Sequence, residues 1–163
     1  MKTFKDLTEK EIDKILHSDM CDEYMYLGTK IVRHCDTSLT LCDLFTIDGE
    51  TTIFDNESEV EETIKTKFLK DTKERWENRN LKRCFAVGHY DTQTHKLNYE
   101  EGLHGIGQSF GYWSTAHVER AWWFNSMQEL CEFLDKYCYR DKCVIIDVPT
   151  KWIYEKLTGR YLI

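Results

Sequence analysis

The chain reads as an α+β domain, and three observations predict this. Amphipathic helical segments, each opened by a capping signal, recur along its 163 residues. Between them lie short runs rich in β-branched and aromatic residues. Asp48-Gly49 is a primed-turn signal of the kind that joins antiparallel strands. Together they predict one domain over residues 1–163: a mixed or mainly antiparallel sheet of about five to six strands with three to four helices packed on it.

The first helix is opened by Thr8 with Glu11 three residues on, a capping box, and Ile12, Ile15 and Leu16 give it a short apolar face. Residues 24–27, 30–33 and 39–47 read as strands, and Asp48-Gly49 turns the last of them into a strand over 50–54. Ser58 with Glu61 predicts the start of a second helix. Its apolar stripe is Val60, Ile64, Phe68 and Trp76, with Leu69 beside it. Residues 81–90 read as a strand, 91–111 as a polar, glycine-bearing loop, and 112–124 as one alternating strand. Asn125 or Ser126 caps a helix to about Tyr137, with Met127, Leu130, Cys131, Leu134 and Cys138 on its apolar side. Val144-Ile-Ile is the most apolar strand and is expected at the centre of the sheet. A short helix from about Lys151 to Leu157 follows Pro149 and stops at Gly159.

Charge is the strongest functional signal. Residues 1–62 hold 16 acidic and 6 basic side chains, a net of −10, whereas residues 63–163 carry a net of +3. Asp48, Glu50, Asp55, Glu57, Glu59, Glu61 and Glu62 occupy a stretch with no Lys or Arg. Such a field attracts basic surfaces and repels phosphate backbones. These seven residues are therefore the expected partner-binding set. The expected partner is a basic protein, such as a nuclease or another nucleic-acid-binding protein, in whose groove carboxylates replace phosphates. Direct DNA binding is not expected. Small acidic proteins of this kind occur in phages that disarm host nucleases. The competing structural use of the acids is solubility and helix capping, since four of them fall near the positive end of the second helix.

The alternative reading is a metal-independent enzyme acting on a nucleotide or RNA. Four of the six histidines, His89, His95, His104 and His117, lie within residues 89–117. A pair facing one cleft supplies acid and base near neutral pH. His104 and His117 form the expected pair, His89 is the alternate, and Glu119 orients His117 from the same strand face. The glycines at 102, 105, 107 and 111 are the matching anion cradle, although the Lys-Ser/Thr of a phosphate loop is absent.

Other constellations carry less. His34-Cys35 places a thiol beside an imidazole, but adjacent strand residues face opposite sides. Asp147 ends the apolar strand and is read as a turn cap. The basic run from Lys65 to Arg83 is balanced by expected helical pairs: Lys70–Glu74, Asp71–Arg75 and Lys73–Glu77. No ligand spacing for a metal and no cofactor motif is present, so neither is expected. The seven cysteines are odd in number and lack paired short spacing, which predicts free, mostly buried thiols. No apolar run is long enough for a membrane span and no leader pattern opens the chain, so a cytoplasmic location is expected. A homodimer through Trp113, Trp122 and Trp123 is a further expectation, because neighbouring strand residues 122 and 123 point to opposite faces.

Overall fold

Thr8 accepts a hydrogen bond from the Glu11 N–H, and the Glu11 carboxylate accepts one from the Thr8 N–H at 2.9 Å, so the first helix starts where its capping box predicts. That helix, α1, spans Glu9–Leu16 and follows a short 3-10 turn at Phe4–Asp6. The computed structural model describes residues 2–19, 21–36, 38, 43–90, 93, 96–106, 109–115, 117–137 and 144–163.

Four strands form the first sheet: β1 (Cys21–Tyr26), β2 (Thr29–His34), β3 (Leu44–Ile47) and β4 (Ile53–Phe54), in the order β1-β2-β3-β4. Every pairing is antiparallel. Tyr26 pairs with Thr29, so Leu27-Gly28 is a two-residue hairpin turn. Both turn residues have positive φ, 47° at Leu27 and 75° at Gly28. Leucine rarely adopts that conformation. Burial of its side chain and a 2.7 Å bond from its N–H to the Glu119 carbonyl hold it there. Asp48-Gly49 does turn β3 toward β4, but the register Thr46↔Ile53 closes a longer connection than the two-residue turn expected. The expected strand residues 39–42 lie outside the described residues.

Helix α2 (Glu57–Glu77) is capped by Asn56, not by Ser58. The Asn56 side chain accepts from the Ser58 N–H at 2.8 Å, so Ser58 is already inside the helix. Val60 and Ile64 are buried as their spacing predicts. Thr72, also buried, fills the stripe position between Phe68 and Trp76.

The second sheet holds β5 (Arg83–Tyr90), β6 (Leu97–Ile106), β7 (Ser109–Thr115), β8 (Trp123–Phe124) and β9 (Val144–Pro149). All its pairings are antiparallel too. β5 is its centre. Ala86 pairs with both Trp123 and Ile146, and Gly88 with both Tyr99 and Val144. A strand has two edges, so β9 runs along one while β8 and β6 share the other. The apolar run expected at the centre, Val144-Ile-Ile, therefore sits at an edge: β9 pairs only with β5 among the described residues, and Ile145 is 42% exposed. Ile146 lines a surface groove with Val118, Trp152 and Ile153.

Burial alternates along β5. Cys84 and Ala86 join the main core, with Tyr26, Ile31, Phe45, Val60, Ile64, Trp123 and Ile153. Phe85 and Val87 face the other way, onto Phe124, Leu130 and Leu134. The second layer belongs to α3 (Met127–Tyr137), and α4 (Thr150–Thr158) closes the chain against the main core. The Ser126 hydroxyl caps α3 by accepting from Glu129 N–H at 3.1 Å, and Gly159 ends α4 in the left-handed conformation, both as expected. The protein is thus a mixed α+β fold with four α-helices packed on antiparallel sheets among the described residues. The expected single sheet is divided in two. No helix among those residues is long and apolar enough to cross a membrane.

Candidate functional site

The seven carboxylates divide into three sets. Asp48 and Glu50 stand in the β3–β4 connection, which is anchored by the Asp48 N–H donating to the Lys30 carbonyl at 3.0 Å. Asp55 lies between β4 and the α2 cap, with Glu59 and Glu62 just inside the helix. The 3.6-residue turn places Glu62 opposite the buried Val60–Ile64 stripe and Glu59 beside it. These five side chains are exposed, and none has an ion-pair or hydrogen-bond partner among the described residues.

The remaining two, Glu57 and Glu61, have side-chain partners. The Tyr24 hydroxyl donates to Glu57 at 3.1 Å. Arg120 donates twice to Glu61, at 2.9 and 3.1 Å, and its guanidinium lies 5.3 Å from the centre of the Tyr26 ring. Glu61 is only half-buried, yet its charge is neutralised. The open acidic set is therefore Asp48, Glu50, Asp55, Glu59 and Glu62. From Glu50 to Asp55 the chain spans at most roughly 17 Å, which bounds the separation of the two groups along the backbone.

The histidines are distributed differently from the sequence expectation. Residues 97–106 and 109–115, expected in large part as a loop, are paired antiparallel strands, with Gly102 opposite Trp113 and Gly105 opposite Phe110. Extended, paired backbone does not turn its N–H groups toward one anion, so Gly102, Gly105 and Gly111 do not form a phosphate cradle. Gly107 and His95 lie outside the described residues. His104 pairs with Gly111, whereas Thr115 pairs with Tyr99 at the other end of the hairpin. Those rungs are four residues apart on β7, roughly 13 Å at strand rise, and His117 lies beyond Thr115. The register thus separates the backbones of His104 and His117. His89 pairs with Asn98, near the Tyr99–Thr115 rung, two strands from β7.

β7 ends at Thr115, and Val118–Arg120 forms a 3-10 turn. His117 and Glu119 are therefore not on a strand face. His117 is exposed, and its Nδ1 lies 3.9 Å from Glu119, too far for a hydrogen bond. Glu119 is committed to Lys156, which donates to both carboxylate oxygens at 3.2 and 3.0 Å. Burial pushes its carboxyl up, but its own backbone N–H, Lys156 and His117 outweigh that and hold it below the usual range.

The smaller constellations resolve into structure. His34 is buried, and its Nε2 lies 2.9 Å from the Thr46 hydroxyl. Cys35 follows the end of β2, and burial pushes its thiol up, the opposite of nucleophilic activation. Asp147 pairs with Arg83 at 2.7 Å instead of capping a turn. Of the four described cysteines, all free, only Cys84 is fully buried; Cys21, Cys35 and Cys131 are half-buried, contrary to expectation. Cys42, Cys138 and Cys143 lie outside the described residues. No group of three His, Cys, Asp or Glu side chains among the described residues could hold a metal ion.

The expected aromatic dimer surface is not exposed at two of its three members. Trp123 is buried against Phe68, ring centres 5.8 Å apart, while Trp122 packs on Phe124 and Phe133 on the opposite face. Both faces of β8 are covered, which resolves the paired tryptophans. Nothing is described of the Trp113 side chain. Trp152, 68% exposed, and Tyr161 were not singled out by sequence. Finally, none of the helical pairs expected along α2 closes, which leaves Lys70, Asp71, Lys73, Glu74, Arg75 and Glu77 without ion-pair partners among the described residues.

Compared with known proteins, the chain matches no family model, no curated protein and no solved structure.

Proposed function

We propose that this protein is a binding protein that docks its acidic end on the basic groove of a protein partner, one that otherwise holds nucleic acid. A single observation carries this reading. Five carboxylates (Asp48, Glu50, Asp55, Glu59 and Glu62), all within residues 48–62, stand exposed with no cation paired to them among the described residues. Unpaired charge of one sign keeps its long-range field, which steers association with the opposite sign. Carboxylates accept bidentate bonds from arginine much as phosphate oxygens do. In function the protein is then an inhibitor or regulator of its partner.

The histidine-pair enzyme is the weaker reading. It needs two imidazoles at one point, and the hairpin register sets His104 and His117 apart.

The test is capture of the partner from host lysate with the native chain and with a variant carrying Lys at all five positions. Circular dichroism verifies that the variant stays folded, as exposed positions allow. The expected result is a partner retained by the native chain and released by moderate salt, with none retained by the variant. A partner held equally by both chains contradicts the proposal.

A further inference from the structure

A second surface, on the opposite half of α2, has the reverse charge. Lys67, Asp71 and Arg75 recur at four-residue spacing and so form one row along the helix. Together with Lys82, just before β5, they rim a cavity of about 240 Å3. The three cations are exposed, and none has an ion-pair partner among the described residues. Lys82 is held in place from behind, because the Thr150 hydroxyl donates to its carbonyl at 3.2 Å. Phe68, Ile64, Leu27 and Trp123 give the wall an apolar part, and Thr29, Asn125 and Thr150 a polar one.

Thr72 decides how the cavity is read. It is 3% exposed and lines the cavity, yet its hydroxyl has no hydrogen-bond partner among the described residues. A helical threonine ordinarily bonds the carbonyl one turn back, and this one does not. Its oxygen is not sealed from solvent, and the residue lines the same space as the three cations. A net positive rim, a threonine hydroxyl and a partly apolar wall suit an anion carrying a small organic body. The volume lies below the roughly 300–1,000 Å3 of most organic-ligand sites, so the body must be compact.

We propose that this cleft binds a compact phosphomonoester: Lys67, Arg75 and Lys82 hold its phosphate dianion, Thr72 donates to a phosphate oxygen, and Asp71 accepts from a hydroxyl of the organic body. A single carboxylate beside three cations leaves the rim net positive while selecting a hydroxylated ligand. This site is independent of the acidic end of α2, and either can fail without the other.

The experiment is calorimetric titration of the full chain at low ionic strength with glycerol 3-phosphate, with inorganic phosphate and with glycerol. The phosphomonoester is expected to bind more tightly than inorganic phosphate, and glycerol not at all. Arg75→Gln and Lys82→Gln are each expected to weaken binding about tenfold, the loss of one charge-assisted contact. Thr72→Val, which keeps shape and removes the donor, is expected to weaken it about threefold with an unchanged urea midpoint. Lys10→Gln, a charge removed elsewhere, is expected to change it less than about twofold. Three outcomes overturn the proposal: no heat from the phosphomonoester at millimolar concentration, equal loss in Lys10→Gln and Arg75→Gln, or displacement of the ligand by trace single-stranded oligonucleotide, which would make the cleft a nucleic-acid surface.

Discussion

Arg120 grips Glu61 through two parallel hydrogen bonds, 2.9 and 3.1 Å long, and so ties the β7–β8 connection to the first turns of α2. The same arginine lies over the Tyr26 ring, which joins this clamp to the end of β1. One residue between the sheets thus braces three elements. Glu61→Gln or Arg120→Gln should each cost about 1–2 kcal/mol in urea unfolding, the lower part of the range for charged hydrogen bonds because both groups are partly open to water. A double-mutant cycle should recover most of that as coupling. Additive single effects would show the clamp to be inert.

Gly28 and Gly49 separate two costs that a glycine can hide. Both have positive φ, 75° and 79°. A Cβ at Gly28 would lie 2.6 Å from Trp123 Cε3, whereas one at Gly49 meets nothing within 4 Å. Gly49→Ala should therefore cost only the left-handed backbone term, about 1 kcal/mol. Gly28→Ala should add overpacking of a buried ring, for about 2–4 kcal/mol in all. Equal thermal shifts in the two variants would contradict the close approach to Trp123.

Glu11 should titrate unusually low. The Lys2 ammonium donates to it at 2.7 Å, and the Thr8 N–H adds a second bond, which together pull its carboxyl down to about 2. A depressed folded value contributes stability that is present above the ordinary carboxylate range and lost as pH falls toward 2. Carbon-detected NMR titration should place the Glu11 midpoint near that value, and Lys2→Ala should move it up. A midpoint near the usual 4.5 in the native chain would refute the contact.

Tyr24 titrates in the other direction. Burial first, then the charge and hydrogen bond of Glu57, push its phenol far above the ordinary value of 10. A raised folded value means that its contribution to stability is complete below pH 10 and falls as pH climbs past it. Tyr24→Phe should flatten the alkaline limb of the stability curve relative to the native chain. An unchanged alkaline limb would show that Tyr24 is not shielded.

Much of the fold is legible in local chemistry. The Thr8–Glu11 box, the Val60–Ile64 stripe, the Ser126 cap and the Gly159 stop each act within about one or two helical turns, so the chain carries them openly. What is not legible depends on contacts between distant segments. Leu27-Gly28 lacks the Asn-Gly or Asp-Gly signature of its turn, because leucine is held at positive φ by a carbonyl some ninety residues away. The glycine-bearing stretch 91–111 reads as a loop, since glycine weakens a strand signal, yet residues 102–106 pair with 109–113 as strands. Trp122-Trp123 reads as half-exposed because sequence does not reveal α3 covering the second face.

The candidate sites follow the same division. The acidic stretch is plain in composition, but nothing local shows that Glu57 and Glu61 pair with Tyr24 and Arg120. The cleft left one trace in sequence, a threonine at the apolar stripe position 72, where a hydrophobic residue is otherwise expected.

The central claim is that carboxylates at the start of α2 occupy the place of phosphates on a partner's groove. Competition between this protein and duplex DNA for the captured partner measures it most directly. Binding should be mutually exclusive, with DNA releasing the protein in proportion to its occupancy of the groove. A stable ternary complex, with DNA and the native chain bound to the partner together, would contradict the account.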